Sequence, residues 1–203
     1  MKRGLLKTTL LLLTLFLLTG CLSLETRVTL ADGERGELTY VYTVDRELLD
    51  AEVFDREAEN WPIPIARRDF ELFADAISEA ELRSYSREDG QTESVVTVTF
   101  GFDTLDALAR LLSTREAISV EPREGEFGLR FQLSPIGVAE LSEEQRLFLR
   151  SYLADSTATF SVTTPEPVRY SSLEEATGRT VTVVRSMDEL LDRPTPLFLE
   201  LGW

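Results

Sequence analysis

Apolar and polar residues alternate through much of this chain, and the period of the alternation changes at a few defined places. Across 22–30, Val28 and Leu30 fall on one side, and Arg27 and Thr29 on the other. Across 36–44, Leu38, Tyr40 and Tyr42 share a side. A period of two in residues of this kind predicts β-strands. The intervening Ala31-Asp32-Gly33 carries a turn signal, so the two segments predict a hairpin. A second hairpin is expected between 82–86 and 94–102, around Asp89-Gly90. In 94–102, Val96, Val98 and Phe100 alternate with Val95, Thr97 and Thr99, a strand fit for cover on both faces. A third joins 118–121 to 126–133 around Glu124-Gly125. Further strands are expected at 157–163, before Pro165-Glu166-Pro167, and at 179–185 and 196–201.

Elsewhere the period lengthens. Phe70, Phe73 and Ile77 lie at i, i+3 and i+7, an apolar stripe that predicts a helix over 66–82. Leu105, Leu108, Leu111 and Leu112 predict another, capped by Asp103. Asp45 is placed to cap a short helix over 46–54, and Trp61-Pro62-Ile63-Pro64 reads as a loop. Ser142-Glu143-Glu144-Gln145 matches a capping box and opens a helix to about residue 153. Strands recur between helices with no low-complexity linker. The fold class expected is α+β: an antiparallel sheet built from hairpins, with about three helices packed on one face.

One segment fits neither period. Residues 8–18 form an unbroken uncharged run, preceded by Lys2, Arg3 and Lys7 and followed by Thr19-Gly20-Cys21. As a helix the run is about 16 Å long, against a bilayer core of about 30 Å. It is too short to span and suits the core of an export signal. Leu18-Thr19-Gly20-Cys21 resembles the lipobox of bacterial lipoproteins. That resemblance implies cleavage before Cys21 and acylation of its thiol and new amino terminus. Residues 1–20 are then a signal peptide, and 21–203 a single exported domain. Cys21 is the only cysteine, so its acylation excludes intrachain disulfides and cysteine metal sites.

Charge narrows the partners. Three of the 21 basic residues precede Cys21 and all 36 acidic residues follow it, so cleavage leaves a net charge of −18. Such a surface repels nucleic-acid phosphates and anionic headgroups. No nucleic-acid partner is expected, and the acyl chains on Cys21 are the expected link to a membrane. Both lysines lie before Cys21, so every basic residue after it is arginine.

The absence of histidine removes the Ser-His-Asp triad, the Cys-His pair and the zincin motif. No phosphate-binding glycine loop is present, and Asp32-Gly33-Glu34-Arg35-Gly36-Glu37 lacks calcium-loop spacing. Paired carboxylates hydrolyse glycosides in other proteins, but among 36 acids no pair stands out. The chain is therefore read as a non-enzyme without metal or cofactor. Trp61, Phe70 and Phe73 are the candidates for an apolar ligand-binding wall. At helical spacing the two phenylalanines fit a plain core better.

The chain after Cys21 also resembles the LppM-type lipoprotein domain family. The resemblance begins with the hairpin around Asp32-Gly33. It is carried chiefly by Phe160-Ser161-Val162-Thr163-Thr164-Pro165, then Gly178-Arg179-Thr180-Val181-Thr182-Val183, then Leu197-Phe198-Leu199-Glu200-Leu201. It implies an exported α+β domain that binds lipid or glycolipid, and it transfers no binding residue. A C-terminal hydrophobic span, expected of many relatives, does not follow Trp203. The function expected is a membrane-anchored envelope module for a lipid or amphipathic ligand, at a periplasmic or cell-surface face. The alternatives are an envelope protein-interaction or structural lipoprotein and, behind them, a carboxylate hydrolase.

Overall fold

The computed structural model describes residues 23–46, 64–112, 118–120, 128–133, 156–192 and 197–203. The expected turn around Glu124-Gly125, the helix from Ser142 and nearly all of the helix after Asp45 lie outside these residues. Among these residues, ten strands form two sheets. The larger has six strands: β1 (Leu24–Leu30), β2 (Gly36–Asp45), β3 (Ala80–Asp89), β4 (Glu93–Phe102), β7 (Thr157–Thr163) and β9 (Thr180–Ser186), in the order β3-β4-β2-β1-β7-β9. The smaller has β5 (Ile118–Val120), β6 (Gly128–Gln132), β10 (Phe198–Gly202) and β8 (Tyr170–Ser171), in the order β5-β6-β10-β8. The described helices are α1 (Arg67–Asp75), α2 (Leu105–Leu111) and α3 (Met187–Asp192).

The larger sheet has one dry face. Val28, Leu30, Leu38, Tyr40, Tyr42, Val44, Val96, Val98, Phe100, Val162, Val181 and Val183 are buried on it. Arg27 and Thr29 are exposed opposite, while Val95, Thr97 and Thr99 are half-buried. The face is closed by Leu129, Phe131, Leu199 and Leu201 of the smaller sheet, which share one core with it. Phe131 meets Phe160 across the sheets at 5.8 Å between ring centroids.

The expected architecture needs three corrections. First, there are two sheets. A period of two shows that β6 and β10 are strands, but not that they cover the larger sheet instead of extending it. Second, β1 and β7 run parallel, with Leu24 paired to Ala158 and Val28 to Val162, while every other pairing is antiparallel. Third, the helices do not share one face. α1 packs along edge strand β3, α2 reaches β3, β4 and β5, and α3 lies against the opposite edge strand β9.

Two boundaries also differ. The helix expected over 66–82 ends at Asp75, because the chain turns back at Glu79, whose φ of 65° is left-handed. The helix after 103 is capped by Thr104, whose hydroxyl accepts from the Ala107 amide at 3.2 Å. The β1–β2 turn follows its sequence signal. Asp32 Oδ1 accepts from the amides of Glu34 and Arg35 at 2.9 and 2.8 Å, and Oδ2 pairs with the Arg35 guanidinium. Those bonds hold the Asp32 carboxyl down at about 2. The turn's contribution is thus present above the usual aspartate range and is lost as pH falls through about 2.

Two sheet glycines face different neighbours. A Cβ on Gly36 would strike the carbonyl of Thr29, which is fixed in the adjacent strand. A Cβ on Gly101 would strike the guanidinium of Arg83, the side chain at the β3 irregularity, which reaches over to Glu37 and Glu81. Backbone cannot give way, whereas an exposed arginine can swing aside. Gly36→Ala is therefore expected to destabilise the fold by about 1–3 kcal/mol or more. Gly101→Ala should cost clearly less, and urea denaturation of the two variants compares them.

Candidate functional site

The described chain enters the sheet at once. Its first residue, Ser23, accepts a hydrogen bond from the Thr43 amide at 3.2 Å, and the two hydroxyls lie 3.4 Å apart. The next residue, Leu24, pairs with Tyr42 on one side and Ala158 on the other. Leu18, Thr19, Gly20 and Cys21 lie outside the described residues, as does Trp61. Strand β1 therefore begins three positions after the candidate acylation residue.

Phe70 stands in the core and the half-buried Phe73 packs against it. Phe70 is 3% exposed and its ring lies 5.7 Å from Tyr85 and 6.2 Å from Phe100, centroid to centroid. Phe73 meets Phe100 edge-on at 6.0 Å. These contacts lock α1 onto β3 and β4. The chain entering α1 is tied down as well. Tyr42 and Tyr85 donate their hydroxyls to the carbonyls of Pro64 and Ile65. Burial pushes both phenols upward, most strongly at Tyr42.

A cavity of about 50 Å³ lies elsewhere, toward the end of the sheet where β1 begins. Its walls include Leu24, Tyr40, Leu112, Leu133, Phe160 and Leu190, with Thr26, Gln132 and Thr159 as polar groups; neither Phe70 nor Phe73 lines it. Tyr40 is spoken for: its hydroxyl donates to the Leu111 carbonyl at 3.0 Å, and burial raises its pKa. Each water needs about 10–15 Å³ of such space, so the cavity holds a few waters. Pockets for drug-sized ligands run to about 300–1,000 Å³. Beside it, Met187, Leu190 and Leu197 form a second small apolar cluster. Sequence reading did not find this region, whose lining comes from six separated stretches of chain.

Among the described residues, several acidic side chains are met by arginine. Glu25 pairs with Arg27, Asp32 with Arg35, Asp89 with Arg87 and Glu174 with Arg185. Hydrogen bonds from Ser94 and Arg87 hold the Asp89 carboxyl below its ordinary range. A carboxyl acting as a general acid needs the opposite shift. Among the described residues no cluster of three metal-ligating side chains occurs, and no helix is long and apolar enough to cross a membrane.

No family model matches this chain, and no curated protein matches it. Among solved structures it is similar to the folded domain of LppM from Mycobacterium tuberculosis, determined by NMR. The likeness covers 89% of this chain and 88% of that one, with 9% sequence identity and a TM-score of 0.49. At that identity it assigns a role to no residue here.

Phe70→Ala is expected to cost about 3–5 kcal/mol, the range for deleting a buried aromatic side chain. Guanidinium denaturation measures it, and a loss near zero would place the ring outside the packed core.

Proposed function

We propose that this chain is an exported bacterial lipoprotein, acylated on Cys21, whose acidic α+β domain is a non-enzymatic binding module of the cell envelope. The observation that carries the reading is Leu18-Thr19-Gly20-Cys21, set behind a basic flank and a short apolar run. Two or more acyl chains hold a protein to a bilayer where one chain binds only marginally. A net charge of −18 supplies no electrostatic substitute for them.

Of the two binding modes considered, engagement of an envelope protein is favoured over enclosure of a lipid. The described core is filled by interlocking aromatic and branched side chains, and its 50 Å³ cavity is far short of an acyl-chain pocket. A hydrolytic role gains no support from carboxyls that are shifted downward.

Metabolic labelling with a fatty acid tests the anchor. The wild-type chain should take up label and Cys21→Ala should take up none; equal labelling of both would refute acylation at this residue. Native mass spectrometry of the detergent-extracted chain tests the binding mode. It should show covalent acyl mass only, whereas a stoichiometric non-covalent lipid would restore enclosure.

A further inference from the structure

We infer that the end of the larger sheet where β1 begins is a membrane-facing surface, and that the domain stands on it with its strands steeply inclined to the bilayer. The inference rests on acylation at Cys21. Cys21 stands two positions before Ser23, with Leu22 alone between them, and two extended residue steps reach at most about 7 Å. Ser23 is already bonded to Thr43, so the tether has almost no slack.

The surroundings of that point decide the orientation. Thr43, which Ser23 meets, pairs onward with Val95, and two positions further out Asp45 pairs with Glu93. The β3–β4 hairpin tip, 90–92, projects beyond that level. It is braced by Arg46, whose amide donates to the Thr92 carbonyl and whose guanidinium donates to the Gly90 carbonyl, both at 2.9 Å. The tip therefore reaches at least as far out as the tether allows Cys21 to go. On the other side β7 starts level with β1, and the Met187 amide at the start of α3 donates to the Ser156 carbonyl at 2.9 Å. The anchor thus leaves the domain between a rigid hairpin tip and the first turn of α3. Tilting the domain toward either side drives one of these into the headgroups.

Among the described residues, Asp45, Glu93 and Asp188 stand around the anchor point with Arg46, a set with no net attraction to an anionic leaflet. The tether geometry turns the Asp32–Arg35 turn outward. β2, ten residues long, places that turn about 30 Å from the hairpin tip. The distal turn then faces away from the bilayer.

The test uses the acylated full chain. Once acylated it carries no free thiol, so a single introduced cysteine takes a fluorophore cleanly. Gln91→Cys, Asp188→Cys and Glu34→Cys replace exposed side chains. Each labelled protein is reconstituted into phosphatidylcholine vesicles that contain a headgroup-nitroxide lipid. Quenching at positions 91 and 188 should exceed that at 34 several-fold. A ten-residue Gly-Ser insertion after Leu22 should erase most of the difference. Equal or reversed quenching on protein that floats with the vesicles overturns the orientation alone. Failure to float overturns the anchor reading, and the orientation falls with it.

Discussion

Everything in this fold is referred to β1, a strand bonded on both edges. It pairs antiparallel with β2 and parallel with β7, and Val28 and Leu30 on its inner side are buried in the shared core. A strand in that position cannot be removed or shifted by one residue without turning its apolar set toward water. Its first paired residue follows Cys21 by three positions. The residue proposed to hold the membrane and the strand that organises the sheet are therefore coupled almost directly. A lipoprotein with a long tether leaves its domain free to search; a chain built this way restricts both height and tilt.

Several of the described carboxylates are paired at the surface with arginines that neutralise them locally. Such exposed pairs add little stability and mainly keep a strongly acidic surface from repelling itself. On the inner face Phe70 packs against Tyr85 and Phe100, and Phe73 against Phe100. The cavity of about 50 Å³ lies near the start of β1 and has the volume of a few waters.

Local chemistry made the hairpins legible. Asp32-Gly33 and Asp89-Gly90 announce turns whose flanking residues alternate, and both hairpins form where expected. Long-range pairing was not legible in the same way. Nothing within β1 or β7 records that strands more than 120 positions apart would lie side by side in parallel, because a period of two fixes faces and not neighbours. Glu79 hid a turn for a related reason: left-handed backbone is usually announced by glycine or asparagine. The two-residue β8 is too short to show any period. Among the site candidates, Phe70 and Phe73 carried an ambiguity that sequence cannot resolve, since a core stripe and a pocket wall have the same helical spacing. The cavity was invisible because its lining is assembled from distant segments. The lipobox resemblance of Leu18-Thr19-Gly20-Cys21, by contrast, is carried by a contiguous motif in the sequence, and it lies outside the described residues.

The fold begins three positions behind Cys21, the proposed anchor. Hydrogen–deuterium exchange of the acylated chain in vesicles tests it most directly, read on peptides spanning β1. The account predicts that amides 24–30 exchange as slowly as those of β2 and β4, opening only with the whole sheet. Rapid exchange of β1, as in a loose tail, with β2 and β4 still protected, would contradict it.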